Sequence, residues 1–393
     1  MPASFSSLRP ASAALAAGAV LAVAMGFGRF AFTGMYPLML RDGFLHLSGG
    51  SLAASANYAG YLAGALALGR MRAASASRVC GIGLAATLLV LATMSWHMPD
   101  ALMYALRFIA GVASAMAMVA AAAWLFQVVG HPEGAPLLFA GVGAGILVSA
   151  ELVAAGNRLG LHSAALWGIL TVAAGVFTVA LWPFLSARVP HAAHPAQTQA
   201  RTVRQDGLGP WQLIASYGLA GFGYIVTATY LPLFVRDALH GIDPVHLWAA
   251  FGLGAIPACF WWHRINRALG ARRALALNLL LQALGVVLPV LSHTLPAYLA
   301  SALLVGGTFT GTVTIAMPAA RHVAGQVPFN LMAALTAAYG VGQIAGPLAS
   351  GWLYGLGHGF DPALAAASAA LVLGAALCMR PAASRRRASG AHA

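Results

Sequence analysis

The chain has 393 residues, of which 60% are apolar and only 7% carry a charged side chain. An average soluble domain has about 25% charged residues, so a soluble protein of this length could not cover its surface with so few. The net charge of +13 would indicate a nucleic-acid partner only if it lay on a polar surface, and here it lies between apolar runs. Composition therefore predicts an integral membrane protein and excludes a soluble domain.

Twelve apolar windows follow one another along the chain, each near the roughly 20 residues that a membrane-spanning helix needs. They are bounded by clusters of Gly, Pro, His and Arg, which favour helix ends. The predicted spans are 11–40, 49–69, 79–96, 100–129, 135–157, 163–186, 210–236, 244–263, 274–292, 296–320, 331–356 and 362–379.

Seventeen residues near the start of the chain recur at half its length. Gly26 to Asp42 align without a gap with Gly221 to Asp237, at an offset of 195, and seven positions are identical. A duplicated apolar half is typical of transporters whose two bundles rock around a central site. The predicted fold class is therefore all-α integral membrane, with two six-helix pseudo-symmetric bundles. The predicted organisation is a first bundle at 1–186, a polar linker at 187–209, a second bundle at 210–380 and a basic tail at 381–393.

The placement of the arginines predicts the orientation of these spans. With both termini in the cytoplasm, 16 of the 21 basic residues flank the spans on the cytoplasmic side and only 3 lie outside, as the positive-inside rule requires. The three cysteines fall in separate spans, and no histidines have metal-ligand spacing, so we expect no disulfide framework, no metal and no cofactor. Paired catalytic carboxylates and phosphate-binding glycine loops are also absent from the sequence, which predicts a protein that is not an enzyme.

Four motifs narrow the assignment. They are Gly26–Thr33 in the first helix, Asn57–Gly64 in the second, Arg107–Gly111 in the fourth and Tyr339–Pro347 in the eleventh. With these motifs the chain resembles the major facilitator superfamily, and within it the YbfB/YjiJ-like branch. This resemblance implies the major facilitator fold, rocker-switch transport and a location in the inner membrane.

The loops after the second and eighth helices depart from the superfamily pattern. That pattern has an acidic residue among its arginines, whereas 69–78 has none and 264–273 has Asn266 near the expected acid. We therefore expect these arginines to hydrogen-bond to the carbonyl groups at helix C-termini instead of forming the charge relay of the superfamily.

Three ionisable residues lie well inside predicted spans: Arg29, Arg107 and Glu151. A central arginine is unfavourable by about 2.5–3.5 kcal/mol on insertion scales, so each needs a partner or a wet cavity. One interpretation is a structural cluster in which Glu151 neutralises an arginine. In the other, two positive charges against one negative leave an arginine free to bind an anion, because its planar fork suits a carboxylate. Glu151 is also the predicted proton-coupling residue, since burial raises the pKa of a carboxyl group and a neighbouring arginine lowers it.

Further polar side chains are predicted to line the same central region, although each could equally serve helix packing. These candidate substrate-binding residues are Asn57, Tyr58, Tyr61, Tyr224, Tyr230, Tyr339 and Gln343. Small residues four apart predict close helix contacts instead of ligand sites; they are Gly60/Gly64, Gly141/Gly145 and Gly342/Gly346.

The sequence thus predicts a monomeric secondary active transporter, a symporter or antiporter, in contact with membrane lipids and with no nucleic-acid partner. Its predicted cargo is a small organic anion moved by alternating access with proton coupling. Two alternatives remain open. One is an efflux pump for amphipathic or neutral compounds, in which the buried charges are purely structural. The other is a membrane sensor or assembly factor that does not transport.

Overall fold

A computed structural model describes residues 9–186, 208–236, 241–357 and 359–380. These residues form twelve long helices and no strand. Most of the predicted linker and the whole predicted basic tail lie outside the described residues. In chain order the helices are α1 (Pro10–Arg41), α2 (Leu47–Ala67), α3 (Ala76–Thr93), α4 (Asp100–Ala123), α5 (Ala135–Arg158), α6 (Ser163–Ser186), α7 (Pro210–Arg236), α8 (Val245–Leu269), α9 (Ala271–Leu291), α10 (Leu295–Val323), α11 (Leu331–Gly355) and α12 (Asp361–Met379).

Each predicted span coincides with one helix. The largest differences are six residues: α8 continues to Leu269, beyond its predicted end, and α4 ends at Ala123, before its own, with a π-helical turn that continues to Val128. Hydropathy marks where a helix leaves the bilayer and not where it ends, and the arginine in the last turn of α8 stabilises the helix terminus. Gly270 then ends the helix with a φ of 78°, a conformation that glycine adopts without strain.

Eleven of the helices in the described residues are long and apolar enough to cross a membrane. The exception is α2, whose sequence is rich in Gly and Ser and includes Asn57. Many apolar side chains on the other helices are exposed, such as Leu89 at 69% and Val179 at 74%, which is the surface that lipid covers. The chain is therefore a multi-pass integral membrane protein.

Glycines bring neighbouring helices to within backbone contact. A Cβ atom added at Gly60 in α2 would lie 2.0 Å from the Phe108 carbonyl oxygen, and one at Gly111 in α4 would lie 2.0 Å from that of Asn57. Equally short approaches join α1 to α5 and α7 to α11. The close contacts predicted for the small-residue pairs are therefore confirmed, at Gly60, Gly64, Gly141, Gly145, Gly342 and Gly346.

Contacts between the first six helices and the last six run along two helix pairs, α2 with α11 and α5 with α8. A third contact joins α1 to α7, where the Thr33 hydroxyl donates a 2.7 Å hydrogen bond to the Ala228 carbonyl. These two residues are 195 positions apart, which is the offset of the sequence repeat. Equivalent positions of the two repeats thus meet at the centre of the molecule.

The arginine at the start of α9 behaves as the sequence predicts for these loops. The guanidinium of Arg272 donates to the carbonyl groups of Cys378 and Met379, at the end of α12. Both helices belong to the second half of the chain, so this contact stabilises a helix end there and does not join the two halves.

Candidate functional site

The middle of α1 departs from α-helical geometry exactly where its buried charge lies. Residues Ala22–Phe30 form a π-helical stretch between two α-helical ones. Such stretches are rare and occur frequently at functional sites. Arg29, within this stretch, has only 3% of its surface exposed.

Aromatic rings surround the Arg29 guanidinium. Its Cζ atom lies 4.0 Å from the ring centroid of Tyr61, 5.0 Å from that of Tyr58 and 5.2 Å from that of Phe30. Contacts of this kind stabilise a cation by about 0.5–2 kcal/mol each. They act on the face of the guanidinium and leave the N–H groups in its plane available.

Two of the three guanidinium nitrogens have no acceptor. Nε and Nη2 of Arg29 are buried and make no hydrogen bond, and no carboxylate in the described residues lies within ion-pair distance of Arg29 or Arg107. The Nε–H and one Nη2–H bond of a guanidinium point in the same direction and form one edge of its rigid fork. Arg29 therefore presents a buried, cationic and unused two-donor edge.

Arg107 is equally buried, at 2% exposed, but two of its three guanidinium nitrogens have acceptors and only Nε has none. Nη2 donates to the Arg29 carbonyl at 3.1 Å and Nη1 lies 3.4 Å from the Gly28 carbonyl oxygen. The change from π-helical to α-helical spacing disturbs the backbone ladder at this point, and buried carbonyl groups need donors. The guanidinium also lies over the Phe32 ring at 4.3 Å. Arg107 thus holds the π-helical stretch in place.

The second half of the chain supplies a stack of rings next to this site. Tyr224 of α7 stacks on Phe309 of α10 and on Tyr339 of α11, both at 5.7 Å between centroids. The side-chain amide of Gln343 donates to the Tyr224 hydroxyl. Phe30, one of the rings beside Arg29, meets Phe309 edge-on at 6.2 Å between centroids, so this stack and Arg29 belong to one region.

Five of the predicted substrate-binding residues therefore converge on Arg29, namely Tyr58, Tyr61, Tyr224, Tyr339 and Gln343. Phe309 and Tyr217, which stacks on Tyr339 at 4.5 Å, were not predicted. Phe309 has no polar group, so nothing in the sequence distinguishes it from the many core phenylalanines. The Asn57 amide donates to the Arg107 carbonyl at 2.9 Å and so joins α2 to α4 next to the site.

Tyr230 lies in a different layer. It follows Tyr224 by six residues, about 9 Å along a helix. Its hydroxyl oxygen is 2.7 Å from Ser51 Oγ and 3.0 Å from the Pro347 carbonyl oxygen. The Tyr58 hydroxyl, 3.1 Å from Thr229 Oγ1, begins the same layer. These contacts join α2 and α11 to α7.

The prediction that Glu151 neutralises a buried arginine is wrong. Its carboxylate is 49% exposed and pairs with Nδ1 of His246 at 2.9 Å. Nε2 of that ring is 2.7 Å from Nη2 of Arg158, so a histidine with its proton on Nδ1 donates to Glu151 and accepts from Arg158. The two cases differ in the direction in which α5 presents residue 151, and the position of Glu151 along the chain does not determine that direction. Glu151 instead joins α5 to α8.

A polar network continues from this pair across the ends of α1, α5 and α6. Asn157 accepts from Arg41 at 2.8 Å and donates to Asp243 at 2.7 Å, again linking the two halves. Burial alone would raise the pKa of Asp42, but hydrogen bonds from Arg41 and from the Ser163 backbone amide outweigh it and lower the pKa to about 2. Asp42 therefore stays ionised and holds this end of the molecule together.

Beside the network, a cavity of about 450 Å³ opens between the ends of α1 and α7. Arg41 and Arg236 both line it, and they are equivalent positions of the sequence repeat. Asp361 lies in the same wall, so the cavity carries both signs of charge.

A family model described as "Uncharacterised MFS-type transporter YbfB" matches residues 21–379 of this chain. No curated protein matches the chain significantly. The family match covers all twelve helices except the start of α1 and confirms the resemblance drawn from the four motifs. The chain belongs to the YbfB family of MFS-type transporters.

Proposed function

We propose that this family member is a secondary active transporter that moves a small organic anion by alternating access. One observation carries the proposal: Arg29 is 3% exposed, has no acidic partner among the described residues and leaves Nε and Nη2 without acceptors. Buried charges are normally paired or coordinate a ligand. The site is electrostatically incomplete until an anion binds.

The unused edge of Arg29 suits a carboxylate better than a spherical anion. Two parallel N–H groups match the two oxygens of a carboxylate, and charge-assisted pairs of this kind are about twice as strong as neutral hydrogen bonds. Tyr58 and Tyr61 from the first half contact the guanidinium, and the stack of Tyr224 and Tyr339 from the second half lies beside it. A site contributed by both halves is what a rocking mechanism requires.

In this proposal the moving units are two six-helix bundles, residues 1–186 and 210–380, joined by a linker at 187–209. Both termini lie in the cytoplasm and the chain spans the inner membrane, as the distribution of arginines favours. The layer containing Tyr230 and the network containing Asn157 then close the periplasmic side. Breaking these contacts would open Arg29 to the outside.

We further propose that Glu151 couples transport to protons through His246 and not through an arginine. The pair lies between α5 and α8, at a contact that must separate when the bundles rock. A carboxylate and an imidazole that part during each cycle can exchange protons with water in one state only. This supplies the alternation that coupling needs.

The alternative is that the rings alone satisfy Arg29 and that the cargo is neutral or amphipathic. Substitution of Arg29 by lysine and by glutamine separates the two cases. Lysine keeps the charge and loses the two-donor edge, so anion binding should weaken by about tenfold or more. Glutamine should abolish it.

The measurement is the rise in melting temperature of the purified protein with acetate, benzoate, lactate or succinate, followed by uptake in proteoliposomes. Arg107→Gln is the control. It leaves buried carbonyl groups without donors, so it should lower the melting temperature of the ligand-free protein, whereas Arg29→Gln should not. Unchanged anion binding in Arg29→Gln would rule out the proposed cargo and support the neutral one.

A further inference from the structure

We infer that the anion is a monocarboxylate with a flat, apolar body and no amino group, a class that includes aromatic acids. This inference rests on the proposed function and narrows it. Three features of the site carry it: the number of free donors, the absence of an acid and the shape of the walls.

The number of free donors limits the charge of the cargo. The region contains two buried arginines, but Arg107 directs Nη1 and Nη2 to the backbone of α1. Arg107 keeps only Nε without an acceptor, whereas Arg29 keeps both nitrogens of one edge, Nε and Nη2. A second carboxylate on the cargo would be buried without a cation, which is costly. A dicarboxylate therefore does not fit.

The placement of the acids excludes an ammonium group. The described residues contain six acidic side chains. Five lie at helix ends or in the turns between helices, and the sixth, Glu151, pairs with His246 at the α5–α8 contact. None lies beside Arg29, so the amino group of an amino acid would have no counter-charge. The five others are Asp42, Asp100, Glu133, Asp243 and Asp361.

The walls of the site are ring faces. Tyr61 and Phe30 flank the guanidinium, and the rings of Phe309, Tyr224 and Tyr339 lie within 21° of parallel from one to the next. The Tyr58 and Tyr224 hydroxyl groups already have partners, in Thr229 and Gln343. A flat ring can stack against such a wall or meet it edge-on, whereas a sugar would bury more hydroxyl groups than the ring faces can pair.

The test compares five compounds on the full-length purified wild-type protein by calorimetry or by melting temperature: benzoate, hexanoate, terephthalate, phenylalanine and benzyl alcohol. Benzoate and hexanoate share charge and approximate size and differ in flatness. We expect benzoate to bind about fivefold more tightly than hexanoate. The second charge of terephthalate, the ammonium of phenylalanine and the missing charge of benzyl alcohol should each abolish measurable binding.

A pair of variants connects the preference to the ring wall. Tyr339→Phe keeps the ring and should keep the preference for benzoate over hexanoate, whereas Tyr339→Leu should remove it. The compound series on wild-type protein stands by itself if Tyr339→Leu fails to fold. If hexanoate binds as tightly as benzoate, this inference is wrong and the anion transporter stands. If no anion binds at all, the proposed function itself fails.

Discussion

At the scale of the residue, two arginines with the same burial have different roles because their donors meet different groups. Arg107 directs Nη1 and Nη2 to the Gly28 and Arg29 carbonyls and leaves only Nε without an acceptor, whereas Arg29 keeps both nitrogens of one edge without acceptors. The sequence predicts that both are buried. It does not reveal which is free, because that depends on a π-helical stretch that turns backbone carbonyls toward α4.

Glu151→Gln tests the coupling role of the only acid that lies within a helix, away from its ends, in the part of the chain that the structure describes. Glutamine can still accept a hydrogen bond from His246 at the position of Oε1, but it cannot carry a proton. We expect the variant to bind substrate and to exchange it in a counterflow assay, and to lose accumulation driven by a pH gradient. Proteoliposomes loaded with the anion measure both activities on one preparation.

Glu133→Gln is the matched control for that experiment. Glu133 is the nearest acid in sequence, 77% exposed and only 3.5 Å from His131, but it lies in the turn before α5 and joins no helices of the other half. It should keep pH-driven accumulation. Accumulation that survives in Glu151→Gln as well would remove this carboxylate from the coupling mechanism.

At the scale of the element, the close packing of α1 against α5 holds the π-helical stretch. Gly145 lies against its first residue, since an added Cβ atom would be 2.3 Å from the Ala22 carbonyl oxygen. Backbone atoms cannot move aside as a flexible side chain can, so α1 and α5 would have to separate. Gly145→Ala should therefore destabilise the protein by roughly 1–3 kcal/mol, the usual cost of overpacking.

The measurement is the melting temperature in detergent, with Gly175→Ala as the control. Gly175 lies inside α6 and has open space where the methyl group would go, so alanine should stabilise it slightly through helix propensity. Equal effects of the two substitutions would mean that the α1–α5 contact does not constrain the stretch.

The sequence predicts the helices well and their irregularities poorly. Apolar runs bounded by Gly, Pro and Arg identify all twelve helices in the described residues, because burial in lipid requires that composition. The π-helical stretch has no signature of its own, since its residues would be acceptable in an α-helix. Likewise the chain position of Glu151 predicts an interior location. The direction in which α5 presents this residue instead places it beside His246.

At the scale of the whole molecule, the repeat becomes a contact. The Thr33 hydroxyl donates to the carbonyl of Ala228, its own equivalent in the second copy. The proposed two-fold axis therefore passes between α1 and α7. Arg29 and Tyr224 are likewise equivalent positions, and they face the same region with different chemistry. Duplication predicts that these positions come together, whereas in the proposed function the difference between the copies is what lets the region bind an anion.

Alternating access requires the contact between α2 and α11 to open on the side of Ser51 in every cycle. A Cβ atom added at Gly351 would lie 2.9 Å from the Ser51 Cβ, slightly closer than the 3.5–4.5 Å found in disulfides, so a small shift suffices to bridge them. The double variant Ser51→Cys/Gly351→Cys should therefore cross-link on oxidation. Because this contact is closed in the structure, the bond should hold the two bundles in one state and stop transport, and a reductant should restore transport.

The native cysteines, Cys80, Cys259 and Cys378, are free and buried, so they should not compete for the engineered thiols. Each single variant, oxidised in the same way, should transport normally. Transport that continues while gel mobility shows the bond fully formed would mean that these helix ends do not separate, and the rocking of two bundles would have to be abandoned.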